Sequence, residues 1–375
     1  MKMNRILHYI GSLNRGGAQS AVLNFYKHVD RNLYQFDFVS DHPDEIELEE
    51  NIRSLGGRIF YTERLRGANL LGFVESWKYL FESHPEYRVI HIHVRSTSSI
   101  VACIAKAYGV SVIVHSHSTS NGDGMGAIVK NTLQYPARWV ADYCIGCSSE
   151  AGNWMFGPRV CASSKYLYLP NAIDLSEYSF SKTAREDLRR ELGLENVYVF
   201  GHVGRLHEAK NHKFLIKVFV GLKKKYENSA LVLVGDGPLR GDIESTIKEL
   251  NMEDSIYLLG DRSDVPRILS AFDSFLFPSR WEGLPVSVVE ALAAGLPCYV
   301  SDSITHDIDI SDRVKRLSIE SERTWVEGVS LDERKDVTDC IVRHGFDIRQ
   351  SVMTLMNLYD RAICKSGKRE DTCGG

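Results

Sequence analysis

Two doubly wound α/β domains in tandem, facing each other across a cleft, are the architecture this sequence predicts, and three observations predict it. Short apolar, β-prone segments alternate with helical patterns through both halves of the chain, as parallel strands covered on both faces require. The alternation breaks once, around residues 172–196, and then restarts. In each half, strands run into glycine-bearing or charged loops, where open parallel sheets place their ligands. A length of 375 residues accommodates two such domains, each with its own core.

The first half opens with a strand over 5–10 (RILHYI), a loop GSLNRGG over 11–17 and a helix over 18–28. Further strands are expected at 36–39, 58–61, 89–93, 110–115 and 143–147, with helices at 46–55, 70–81 and 100–108 between them. The pattern stops at YLPNAID (168–174), and a charged stretch follows over 182–195. The second half repeats the theme with strands at 197–203, 230–234, 256–259, 274–277 and 298–300. Its helices are expected at 212–226, 239–250, 264–269 and 286–294. After Ser301 the alternation weakens, and the chain closes with a helical pattern over 347–364 carrying Val352, Leu355, Met356 and Tyr359 at helical spacing. The final KSGKREDTCGG reads as a frayed end. The domains are therefore placed at 1–175 and 176–346, with 347–375 as closing helix and tail.

Composition narrows the function. Apolar content of 43%, charged content of 25% and a net charge of −4 describe an ordinary soluble protein without a nucleic-acid footprint. No apolar run reaches the roughly 18 residues of a membrane span. The N-terminal MKMNRILHYIG is too short for a secretory signal, so a cytoplasmic protein is expected. The eight cysteines are scattered through apolar surroundings, which suits reduced thiols. Cys144 and Cys147 form a lone CxxC whose odd spacing puts them on opposite strand faces.

The second half is organised around FLFPSRWEGLPVSVVEALAAGLPCY (275–299). A strand ends at Pro278, Pro285 sits where a helix begins, and Gly295-Leu296-Pro297 ends it. Glu282 falls in the loop and Glu290 about one and a half turns into the helix. A helix start offers free N–H groups and a positive dipole end to an anion, with an acid on either side for hydroxyls. A phosphate carrying sugars fits that description.

Other candidates stand at strand ends. Arg205 and Lys210, in GHVGRLHEAKNH, are two cations at a helix start, which the dipole disfavours unless an anion lies between them. VGDGPL (234–239) is a glycine turn that suits either a ligand or the chain itself. Gly16-Gly17 lacks the remainder of a dinucleotide fingerprint, although Asp41 lies at the distance of a ribose-binding acid. His115 and His117 share one strand face, as do His91 and His93; a metal site and a plain hydrogen-bonded strand end are both open to them, with His117 the candidate for the active site. Asn121-Gly-Asp-Gly124 reads as a loop gating the acceptor side.

With these residues assembled, the chain resembles the retaining glycosyltransferases of family 4, which have the GT-B fold, and more narrowly those that build exopolysaccharide and capsule repeats. The likeness runs from GSLNRGGAQ (11–19) through VHSHSTS (114–120), LPNAID (169–174), GRLHEAKNH (204–212), VGDGPL (234–239) and FPSRWEGLPVSVVEALAAGLP (277–297) to the closing DIRQSVMTLMNLY (347–359). It implies that Arg205 and Lys210 grip the donor diphosphate and that Glu290 binds the nucleotide ribose. It implies that Glu282 contacts the transferred sugar, with the backbone of Gly283, Leu284 and Pro285 near sugar and phosphate. His117 matches the histidine on the C6 side of the sugar, Gly17 the loop position approaching the diphosphate, and Arg262 the place that holds the base. It also implies an N-terminal acceptor domain, a C-terminal donor domain and a closing helix that returns to the first.

The expected activity is transfer of a hexose or N-acetylhexosamine, from a UDP-sugar, to a saccharide acceptor linked to a lipid diphosphate. The cations and the helix start stabilise the departing diphosphate, so no metal or other cofactor is expected, and Asp307-Ile-Asp309 falls outside the regular pattern. The leaving phosphate takes the acceptor's proton, and neither acid is a nucleophile. A lipid-linked acceptor implies contact with the membrane surface. Arg138 and Trp139 are candidates for that contact, against the alternative of a buried Trp beside an exposed Arg. Three rivals share parts of the pattern: a non-hydrolysing nucleotide-sugar epimerase, a nicotinamide oxidoreductase resting on Gly16-Gly17 and Asp41, and a non-catalytic sugar-nucleotide-binding partner.

Overall fold

A computed structural model describes residues 3–14, 16–118 and 124–366. Most of the expected gate at Asn121-Gly-Asp-Gly124, and the tail beyond 366, lie outside the described residues. The chain divides into two compact units, one of residues up to Asn171 together with Ile348 onward, the other Ala172–Asp347. The junction thus falls a little earlier than residue 175. The NH of Ile173 donates to the carbonyl of Phe346, and Ile173 bridges Asp347, so both ends of the second unit are stitched side by side.

The first unit is built on seven strands: β1 (Asn4–Gly11), β2 (Tyr34–Ser40), β3 (Ile59–Tyr61), β4 (Val89–Ile92), β5 (Ser111–Ser116), β6 (Tyr143–Gly146) and β7 (Tyr166–Tyr168). All pair in parallel, in the order β3-β2-β1-β4-β5-β6-β7. The central strands are buried along their length, which is why they read as unbroken runs rather than alternating ones. One core cluster packs Phe73, Trp77 and Phe81 of the helix Leu70–Ser83 on Leu7, Ile90 and Val112. The closing helix Ile348–Lys365 belongs to this unit and buries Val352, Leu355, Leu358 and Tyr359, with Leu358 in the fully buried place expected of Met356.

The second unit has six parallel strands: β8 (Tyr198–Val203), β9 (Ser229–Val234), β10 (Ile256–Leu258), β11 (Ser274–Phe277), β12 (Cys298–Ser301) and β13 (Val314–Leu317), ordered β10-β9-β8-β11-β12-β13. In both sheets the order reverses beside the unit's first strand, and a crevice at such a switch point is where ligands bind. A core of Phe200, Phe219, Leu231, Leu276, Tyr299 and Trp325 holds the sheet.

Several elements depart from the sequence reading. The charged stretch is a helix, Lys182–Leu192, capped by the Ser181 hydroxyl and ended by left-handed Gly193. Its few apolar residues hide it from a periodicity reading, and its buried face mixes Leu188 with arginine: Arg185 and Arg189 both pair with Asp273, and Arg189 also donates to the carbonyl of Ala271. Beyond Ser301 the alternation continues, through β13 and the helix Glu322–Gly328. As an edge strand reading VKRL, β13 has no apolar run, and its charges are met by Asp332 and Asp309. The edge strand β7 gives no signal because it is only three residues long. In the first unit, Met125–Gln134 and Ser149–Phe156 are further helices, in ranges for which no element is expected from the sequence pattern.

Candidate active site

At the switch point of the second sheet, the loops leaving β8 and β11 are tied together twice. The NH of Arg280 donates to the carbonyl of Ala209 at 2.8 Å. The ammonium of Lys210 donates to Glu282 Oε1 at 2.7 Å, with both side chains largely buried, and lies 4.6 Å above the ring of Phe277. Folding therefore brings a cation and an acid separated by 72 residues into one crevice. Arg205 is exposed beside them and makes no hydrogen bond or ion pair among the described residues.

The helix Val286–Ala293 starts at Pro285, with no side-chain cap and no acid in its first turn. Leu284 and Pro285 are buried and Gly283 is half-buried. Glu290 accepts a hydrogen bond from the Tyr178 hydroxyl at 2.9 Å. Burial pushes its carboxyl up to about 7, against the opposing pull of Tyr178 and of the Lys210 charge. Tyr178 had no signal in the sequence, because the short helix Leu175–Tyr178 lies where the pattern broke.

The glycine turn at 235–237 turns out to serve the chain. Gly235 has φ +128, and a Cβ there would stand 2.2 Å from the carbonyl oxygen of Gly204; one at Gly237 would stand 2.5 Å from that of Leu206. Leu206 NH donates to Asp236 O and Leu239 NH to Leu206 O, so the turn buttresses the loop carrying Arg205. Gly17 is the opposite case. It is the exposed first residue of the helix Gly17–His28, with ordinary φ, and a Cβ there would meet nothing within 4 Å. Arg262 is held by Asp264 through two 2.7 Å bonds, so its guanidinium is already occupied.

In the first unit His8 of β1 pairs in register with His91 of β4, and His93, His115 and His117 continue the same face toward the strand ends. His8 Nδ1 and His93 Nε2 are 3.1 Å apart, His93 Nδ1 and His117 Nε2 2.8 Å. The Tyr359 hydroxyl lies 2.9 Å from His91 Nδ1. His117 is half-buried; burial drops its imidazole to about 4 against an opposing hydrogen bond with Asn171, with the Arg95 charge adding a little to the drop. The sequence reading found four of these rings and missed His8, which sits in a strand of one histidine only.

The alternative of a buried Trp beside an exposed Arg is reversed in the structure, and the oxidoreductase reading loses its ribose acid. Trp139 is 64% exposed, while Arg138 is the more covered of the two, stacked on Tyr135 at 3.7 Å and donating to the carbonyl of Met155. The carboxylate of Asp41, offered to a ribose in the oxidoreductase reading, is taken by the Tyr9 hydroxyl and His42. Likewise Asp309 is bound by Arg316 and His306.

Two parallel-sheet units of this strand order, with the second carrying an ion pair and a helix start at its switch point, define the GT-B class of glycosyltransferase. Residues 15–177 match the model of Glycosyltransferase Family 4, and residues 184–325 that of Glycosyl transferases group 1. The chain is 34% identical to the putative glycosyltransferase EpsF of Bacillus subtilis over 97% of its own length and 98% of that protein's. It is 28% identical over 58% of each chain to an Escherichia coli UDP-Gal:alpha-D-GlcNAc-diphosphoundecaprenol alpha-1,3-galactosyltransferase. Its fold is similar to Anabaena HepE, solved with UDP and glucose, with a TM-score of 0.74 at 17% identity over 95% of this chain and 99% of that one. The chain belongs to the family 4, group 1 glycosyltransferases. No helix among the described residues is long and apolar enough to cross a membrane.

Proposed function

We propose that the chain transfers a hexose or N-acetylhexosamine from a UDP-sugar, with retention of configuration, to a saccharide linked to a lipid diphosphate, in the assembly of a surface polysaccharide. The observation that carries this reading is the Lys210–Glu282 pair at the second switch point, with uncapped Pro285 and the acid Glu290 alongside. In the resting protein the two charges satisfy each other. An arriving diphosphate competes for Lys210 and releases Glu282 to accept from sugar hydroxyls. Arg205, Lys210 and the helix start then balance the negative charge that grows as the bond from sugar to phosphate breaks, usually the largest part of such catalysis. The departing phosphate takes the acceptor's proton. Fixed cations fill the role of a divalent ion in this scheme, so turnover is expected to survive EDTA.

His117, Gly17 and the backbone at 283–285 complete the proposed set, with Arg262 the weakest member because Asp264 already occupies it. The acceptor class follows the Escherichia coli relative's lipid-diphosphate substrate. It is also supported by apolar side chains on the first unit: Met125, Ile128, Val129, Tyr135 and Trp139 are all exposed, the surface expected of contact with a lipid bilayer.

The test is a panel of nucleotide-sugars read by thermal shift, followed by NMR of the product's anomeric configuration on a polyprenyl-diphosphate sugar. A UDP-sugar at 100 times its dissociation constant should stabilise the protein by about 2.7 kcal/mol. Inverted product, or conversion of the donor without any acceptor, overturns the proposal, the latter in favour of an epimerase.

A further inference from the structure

The histidine strip of the first unit has more imidazole nitrogens than partners. His115 is 1% exposed, and neither of its ring nitrogens has a hydrogen-bond partner; His91 Nε2 is in the same position. Buried polar atoms left unpaired are costly, and each calls for an occupant. One nitrogen from each of His93, His115 and His117 lies within 4.8 Å of the other two.

We infer that His93, His115 and His117 form a binding site for a borderline-soft divalent metal ion, Zn²⁺ or Co²⁺ in character, in which the ion would engage the same His117 that the proposed function gives to the sugar. The donor set is three imidazoles, which suit zinc, cobalt, nickel and copper and not the oxygen-seeking magnesium or manganese. Tetrahedral bonds of about 2.1 Å put ligand nitrogens about 3.4 Å apart. The 2.8 Å contact of His93 with His117 and the 4.8 Å upper bound on the trio bracket that figure.

The outer shell is also present. Ligating histidines are oriented through their second nitrogen, and His93 Nε2 is already held by His8 Nδ1. An ion on His93 Nδ1 would take the place of its contact with His117 and leave that support intact. The deeper trio of His8, His91 and His93 is a poorer site, because Tyr359 already engages His91 and reaches His8. His117, half-buried just past the end of β5, gives the ion a way in. Arg95 is the opposing charge nearby, so the imidazoles must hold the ion without help from a carboxylate.

The experiment uses the full, untagged chain, stripped with a chelator and titrated with Co²⁺ and then Zn²⁺. A single Co²⁺ per chain is expected, with the intense visible bands of tetrahedral coordination, displaced by Zn²⁺, and with an upward shift in melting temperature. His115→Phe and, separately, His117→Gln should each weaken binding at least 10-fold and abolish the bands. His117→Gln, at the exposed end, keeps the test valid if His115→Phe does not fold. Absence of binding to the parent chain, binding unchanged in both variants, or a preference for Mg²⁺ would each overturn the inference.

Discussion

Around its switch point the first sheet presents neutral rings, His8 and His91 on β1 and β4 with His93, His115 and His117 beyond them. At the matching point of the second sheet stand Lys210, Glu282 and Glu290. The strand order is the same in both, so topology alone does not choose the chemistry. What differs is which residues follow the strands. The first unit lets buried imidazoles share hydrogen bonds along a strand face, and burial keeps them uncharged. The second unit holds a cation and an acid in contact, which remains affordable at a crevice that solvent or an anion can enter. One arrangement suits a neutral or metal-seeking surface, the other an anionic ligand.

That contrast breaks most easily at the charged crevice. Lys210→Ala and Glu282→Ala should each lower transfer at least about 100-fold, measured as kcat/KM with a UDP-sugar; near-normal turnover in either removes that residue from the site. Next in size is the scaffold of the same crevice. Gly235→Ala places a Cβ against the Gly204 carbonyl at a left-handed φ, and should cost about 1–3 kcal/mol of stability, read as a lowered melting temperature.

A smaller effect follows from Glu290. Its carboxyl titrates near 7 in the folded chain, above its ordinary value of 4.5, so the folded state binds the extra proton between those values. Stability attributable to it is present below about pH 4.5 and is lost as pH rises toward 7. A ribose hydroxyl bond to the ionised form runs the other way. UDP-glucose affinity should rise about 10-fold from roughly pH 6 to pH 8, and Glu290→Gln should flatten that dependence in calorimetry. The smallest effect sharpens the contrast from the first unit. Gly17→Ala should leave the melting temperature unchanged or raise it by the equivalent of up to about 1 kcal/mol, while lowering donor turnover. A stability loss there would mean that the chain itself needs the glycine.

Much of this was legible beforehand because buried parallel strands write themselves as apolar runs. β1, β5, β8 and β11, and the helix beginning after Pro285, follow directly from such runs and their stop signals. The helix Lys182–Leu192 did not, because charged residues dominate it and Arg189 shares the buried face with Leu188, although Ser181 and Gly193 mark both of its ends. β13 did not, because an edge strand facing water carries charge.

The amino-acid order by itself determined the two-domain alternation, the strand-end positions of Arg205, Lys210, Glu282 and His117, and the spacing of Glu282 from Glu290, since these depend on local period and on counting along the chain. Only the tertiary structure decided that Lys210 closes on Glu282, that Tyr178 reaches Glu290, that Asp264 occupies Arg262, and that His8 joins the other histidines. Those contacts bring together atoms from strands and loops far apart in sequence. Their partners are chosen by sheet order and burial, quantities that no local window of sequence contains.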